Sequence, residues 1–154
     1  MTSVVTRYAS PAVGHYSQAI VHNGTVYVSG LLPITASGDK LGAESFDVQA
    51  RQVMMNLKAI LIAAGSSLSH ALSVRVYFAD ISKLGDFNAV YSDFMGPSKP
   101  ARAVVPVPDM GNDVHNKDSV ELEIRGDHSQ QESAKAEVTT ALTTTRARPD
   151  IVPS

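Results

Sequence analysis

The chain has no cysteine. That excludes disulfides, thiolate nucleophiles and cysteine-ligated zinc, and it fits a reducing compartment. No apolar run approaches the ~20 residues of a membrane span. The N-terminus has no secretory hydrophobic segment. It is also too short for a cleaved transit peptide, because structured signals begin by residue 16. The last residues, Ile151-Val152-Pro153-Ser154, are not a peroxisomal address. Together these absences point to a cytoplasmic protein. Net charge is small: 13 Lys and Arg face 15 Asp and Glu, leaving -2. A basic footprint for nucleic acid or an anionic membrane is therefore missing. His15, His22, His70, His115 and His128 show no metal-ligand spacing, so no metal site is expected.

What remains is an ordinary globular composition. The 154 residues are 44% hydrophobic and 18% charged, which suits one domain with a real core. Residues 17–29 read as a hairpin, with strands 17–22 and 25–29 flanking Asn23-Gly24, a strong type I′ turn signal. Gly30 and Pro33 close the second strand, and 34–44 reads as a polar loop. Apolar residues at Phe46, Ala50, Val53, Leu57, Ile60, Leu61 and Ala64 form a helical stripe over 46–64. Ser45 is its N-cap and Gly65 its C′ residue. Residues 71–79 alternate, with Leu72, Val74, Val76 and Phe78 facing one way and Ser73, Arg75 and Tyr77 the other. A second helix is predicted over 82–95, with Leu84, Phe87, Tyr91, Phe94 and Met95 on one face and Gly96-Pro97 as its stop. Strands follow at about 103–107 and 119–125. Pro106 makes the first an edge strand or a bulged one.

The order is ββαβαββ, an α+β domain with two helices on one face of a mixed sheet. Its other face carries Arg75, Tyr77, Glu121 and Glu123 beside small apolar groups. That half-polar face suits burial against other subunits. The domain covers 1–128. Residues 129–154 form a polar, Thr-rich tail that reads as flexible, with a weak helical turn or two over 134–142.

Chemistry concentrates in Lys99-Pro100-Ala101-Arg102-Ala103-Val104-Val105. A single Arg at the mouth of a Pro-bounded apolar run is a natural clamp for a small carboxylate, through its planar fork. Downstream, Val120-Glu121-Leu122-Glu123-Ile124 alternates strictly and gives Glu121, Glu123 and Arg125 one face. An Arg near strand-borne Glu residues suggests chemistry on a small anionic substrate using water.

Six segments in register resemble the RidA/YjgF family, the reactive-intermediate deaminases. They are Gly14-His15-Tyr16-Ser17-Gln18-Ala19, Val28-Ser29-Gly30-Leu31-Leu32-Pro33, the stretch 49–65 with Gln52, Asn56 and Leu57, Val76-Tyr77-Phe78-Ala79-Asp80 with Asn88-Ala89-Val90-Tyr91, Pro100-Ala101-Arg102, and 120–124. The resemblance implies a chorismate-mutase-like fold and a homotrimer with inward-facing sheets and ligand sites between subunits. It implies hydrolysis of 2-imino acids and their enamines, such as 2-iminopropanoate (2-aminoacrylate) and 2-iminobutanoate, to 2-keto acids and ammonia, with no cofactor. By position, Arg102 would bind the substrate carboxylate and Glu121 would hold the attacking water. Tyr16, Ser29, Gly30, Leu31, Asn88 and the backbone at Val104 would line the pocket.

The chain departs from the family at His15, Leu31 and Val104. Arg102 and Glu121 lie 19 positions apart, wider than usual, and the extra length falls in 109–118. These departures leave room for a relative adapted to another imine in a specialised pathway, or for a non-enzymatic ligand-binding or chaperone-like member. The tail has no counterpart in short family members, so its removal should leave the fold and the assembly intact.

Overall fold

The computed structural model describes residues 1–108 and 120–127, and of residues 120–124 the backbone alone. The elements in chain order are β1 (Thr2–Val4), β2 (Ala19–His22), β3 (Thr25–Leu31), α1 (Phe46–Ala63), β4 (Ala71–Phe78), α2 (Leu84–Met95), β5 (Ala101–Pro106) and β6 (Val120–Asp127). The strands form one mixed sheet in the order β1-β2-β3-β6-β4-β5. Among the described strands only β4 and β5 run parallel, joined by the α2 crossover. Residues 109–118, His115, His128 and the tail 129–154 lie outside the described residues.

Local chemistry explains most boundaries. Asn23 and Gly24 have φ of 49° and 72°, as a type I′ turn requires, and His22 pairs with Thr25 across it. Gly65 has φ 76°. There it completes a Schellman ending on α1: its N–H donates to Ile62 O, and the Ser66 N–H donates to Leu61 O at 2.8 Å. Ser45 does stand at the start of α1, but its hydroxyl makes no capping bond. A short 3-10 turn, Ile81–Lys83, precedes α2, and the Asp80 carboxylate caps it by accepting from Ser82 N–H at 2.9 Å. Pro106 sits on β5, one of the two edge strands of the described sheet, where a missing N–H costs no ladder bond.

Three details differ from expectation. A strand that the sequence pattern did not reveal, β1, precedes the expected hairpin, and its Val4 joins the core. A three-residue strand is too short to register as alternation. Gly30 does not end β3; the ladder to β6 shifts register between Val28 and Leu31, so Ser29 and Gly30 occupy an irregularity inside the strand. Leu72 is 54% exposed although Val74, Val76 and Phe78 are fully buried. The β4–β6 ladder shifts between Ala71 and Ser73, and the regular alternation starts only after that shift.

Both helices pack on one face of the sheet. The buried side of α1 carries Ala50, Val53, Met54, Leu57, Ile60 and Leu61, while Met55 turns outward. Aromatic rings run through the core in sequence. Phe46 stacks on Phe78 at 6.1 Å, Phe78 meets Phe87 edge-on at 5.4 Å, and Phe87 meets Tyr91 at 5.5 Å. The opposite face is half polar, with Tyr27 at 41% exposure and the Arg125 guanidinium 5.6 Å from its ring.

Buried amides fix the loops around this core. The Asn56 side chain donates to Ile34 O at 2.8 Å, and its Oδ1 accepts from Ser10 N–H at 3.2 Å and Gln52 Nε2 at 3.0 Å. Gln18 holds the N-terminal segment similarly, donating to Ser10 O at 2.7 Å and accepting from Thr6 N–H at 2.6 Å. Replacing Asn56 by Leu strands buried backbone groups without partners. Asn56→Leu is expected to destabilise the fold by about 2–4 kcal/mol, read as a lower urea midpoint with an unchanged slope.

Candidate active site

The site grows from the edge strand β5 and the helix that leads into it. Arg102 pairs with Val74 across the parallel ladder, and Val104 with Val76, so both side chains share the helix-covered face of the sheet with those two buried valines. Asn88 and Tyr91 are three residues apart on α2 and share a face. Arg102 Nη1 donates to Asn88 Oδ1 at 2.9 Å, and the guanidinium carbon lies 5.0 Å from the Tyr91 ring centroid. The hydrogen bond fixes one corner of the fork and the ring fixes its plane. The group itself stays exposed. Beside it is an open cavity of about 310 Å³ whose walls include Tyr91, Ser92, Met95, Lys99 and Arg102. This positioned, accessible cation is suited to an anion with a planar face, such as a carboxylate.

Tyr91 was legible as part of the apolar stripe of α2 but not as the ring beneath Arg102. The available signal was its i+3 spacing from Asn88. Its hydroxyl is buried with no hydrogen-bond partner among the described residues. Burial pushes the phenol above its ordinary ionisation range, and the nearby Arg102 charge opposes that rise.

The other expected site residues lie elsewhere in the chain. Ser29 Oγ donates to Ser17 O at 2.7 Å, and Ser29 N–H to Gln18 O at 3.0 Å, extending the β2–β3 pairing. Gly30 is exposed. The Tyr16 hydroxyl accepts from Val13 N–H at 3.4 Å, and the residue is 48% exposed. Leu31 is in the core at 4% exposure and offers no side-chain surface from this chain. Strand β3 stands three strand positions from β5, roughly 14 Å. Glu121 stands opposite Tyr77 in the ladder, with its side chain outside the described residues. Its backbone is two strands across and three residues along from Arg102, again roughly 14 Å. The single chain thus joins Arg102, Asn88 and Val104, and holds Tyr16, Ser29, Gly30 and Glu121 apart from them. Among the described residues no three His, Asp or Glu side chains gather as metal ligands, and no helix is long and apolar enough to cross a membrane.

A mixed sheet backed by two helices, with an Arg on the parallel edge strand held by an Asn of the crossover helix, defines an α+β protein of the RidA/YjgF class. The chain belongs to that family: the family model described as endoribonuclease L-PSP matches residues 6–125. A RutC family protein of Sulfurisphaera tokodaii is 41% identical over 70% of this chain and 86% of its own. The crystal structure of RidA from an Antarctic Psychrobacter superposes with a TM-score of 0.74 at 34% identity, covering 82% of this chain and 99% of that one. The structure of E. coli TdcF with bound serine gives 0.73 at 27% identity, covering 82% and 98%.

Tyr91 yields a test of this arrangement. With its folded pKa raised, the neutral phenol is favoured in the folded state. Its contribution is intact below the unfolded value near pH 10 and is lost as pH rises beyond it. Tyr91→Phe also removes a buried hydroxyl that has no hydrogen-bond partner among the described residues. The variant is expected to be about 1 kcal/mol more stable at neutral pH and to lose less stability above about pH 10, as read from urea midpoints across that range.

Proposed function

We propose that the protein hydrolyses small 2-imino acids and their enamine tautomers, of the 2-iminopropanoate (2-aminoacrylate) and 2-iminobutanoate type, to 2-keto acids and ammonia. Such a reaction would make it a cofactor-independent deaminase that clears reactive imines. The observation that carries this reading is the Arg102 fork, held by Asn88, laid over Tyr91 and open to solvent. Membership of the RidA/YjgF family supports it, as does the serine bound by TdcF, a ligand with an α-carboxylate.

In the proposed reaction Arg102 grips the carboxylate through two parallel hydrogen bonds and so aims the imine carbon. Glu121 takes a proton from water as the water oxygen bonds to that carbon. Glu121 then returns that proton to the nitrogen of the tetrahedral aminoalcohol, the carbon–nitrogen bond breaks as the hydroxyl oxygen forms its double bond to carbon, and the hydroxyl proton passes back to the Glu121 carboxylate, leaving ammonia and the keto acid. A protonated imine is already a good electrophile, so orientation and an activated water suffice. The family's description names a ribonuclease, but a chain of net charge -2 is a poor match for a phosphate polymer.

The same reading makes the active unit a homotrimer with shared sites. The roughly 14 Å between Arg102 and both Ser29 and Glu121 supports it: a small substrate cannot span that gap, whereas the edge of one copy can meet β3 of another. The half-polar open face supplies the surface to be buried. Light scattering at micromolar concentration should give the mass of three chains, and a monomer there would remove the shared cleft.

Arg102 decides the chemistry. Arg102→Lys keeps the charge and loses the fork, so it should impair turnover severely, and Arg102→Ala at least as much. The expected loss is on the order of 2–5 kcal/mol, or roughly 30- to several-thousand-fold in kcat/KM, with the fold retained. The assay is ammonia release from imines generated in situ by an amino-acid oxidase. Wild-type rates from folded Arg102→Ala would discard the clamp. Absence of imine hydrolysis by the wild type would favour a different imine step or a non-enzymatic binding role.

A further inference from the structure

The side of α1 away from the sheet carries an apolar groove of about 480 Å³, bordered by Tyr8, Gln52, Met55, Lys58, Ile62 and Phe94. Met55 is 54% exposed, Ile62 60% and Tyr8 69%. An outer helix face ordinarily shows water its polar residues, so this strip calls for a cover. The groove lies on the helix side, away from the open sheet face, so the proposed trimer leaves it free.

The position of the chain's exit names the occupant. The Asp127 carbonyl accepts from Ser66 Oγ at 2.6 Å, and Ser66 follows directly on the Schellman ending of α1. The polypeptide therefore leaves the sheet beside the end of α1 that Ile62 adjoins. Ala59, within the groove, is about 10 Å back along the helix axis from Ser66. An extended link from Asp127 to Ala134 reaches up to about 25 Å. Beyond that link the sequence places Ala134, Val138, Ala141 and Leu142 at i, i+4, i+7 and i+8, one apolar helical stripe. Within 134–142 Glu137 flanks this stripe on one side and is opposite in charge to Lys58 on the groove wall, while Lys135 flanks it on the other side. The family match stops at residue 125, so this segment is an addition to the shared domain.

We propose that residues 134–142 dock as an amphipathic helical segment along the outer groove of α1 in the same chain. The segment covers Met55, Ile62 and Tyr8, with Glu137 towards Lys58. It is an accessory cover, and the domain folds and assembles without it.

The absence of native cysteine makes the contact directly testable in the full chain. Under mild oxidation the pair Ile62→Cys with Leu142→Cys should form an intrachain disulfide roughly ten-fold more readily than the control pair Asp86→Cys with Leu142→Cys, because docking raises the local concentration. Equal yields for the two pairs would overturn the proposal. So would disulfides that join two chains, which would assign the groove to a neighbouring copy. Independently, Val138→Asp combined with Leu142→Asp should raise the fluorescence of a bound anilinonaphthalene dye to the level of a chain ended at Asp127. Dye fluorescence unchanged from the wild type would mean that the groove was never covered.

Discussion

The sheet depends on β6, the last described strand in the chain, occupying the place between β3 and β4. Apart from β6, the strands β1, β2 and β3 form one meander and β4 with β5 a parallel pair, and no strand pairing among the described residues links the two groups. Strand β6 pairs antiparallel with both and joins them into one surface. Its partners lie far back in the sequence, so the loop-closure entropy of almost the whole domain is opposed by one late set of contacts. The core under α1 and α2 packs on the continuous sheet that this set completes. The same insertion brings Asp127 to the end of α1, where Ser66 holds it.

Because β6 separates β3 from β4, it also sets the span of the candidate site. Arg102 is carried to one side of the sheet and Ser29 with Gly30 to the other half. The Arg102 end is prepared from within. Phe46, Phe78, Phe87 and Tyr91 lean on one another through the core, and the last ring supports the guanidinium. Packing that stabilises the fold thereby fixes the plane of a group that is itself exposed. The buried Tyr91 hydroxyl without a described partner is a local energetic debit at that point.

Legibility followed the range of the forces involved. Asn23-Gly24 and Gly65 could be read from sequence because positive φ restricts residue choice at single positions. The α1 stripe was readable because burial repeats every helical turn. Gly30 misled, since a glycine near a strand's end signals a stop as readily as an irregularity within it. Strand β1 has three residues and left no pattern. The placement of β6 between β3 and β4 left none either, because alternation fixes a strand's faces and not its neighbours. Arg102 and Asn88 were legible through the family motifs. Tyr91 was hidden among core-facing residues, because an aromatic in an apolar stripe looks the same whether its far side meets a methyl group or a guanidinium.

The position of Arg102 on an edge strand has a further physical consequence. Among the described residues the outer side of β5 has no neighbouring strand, so alternate backbone N–H and C=O groups there point away from the ladder. Next to a fixed guanidinium, such groups can bind the polar end of a small ligand without distorting the core. A backbone contact near Val104 would also tolerate exchange of the side chain, which fits a family site carried over to a chain with Val at that position. Pro106 removes one donor from the same edge and makes indiscriminate strand addition less favourable. The features that suit β5 to hold a small carboxylate are therefore those that must be guarded against another strand. In the proposed assembly, apposition to a second copy would both complete the site and shield that edge.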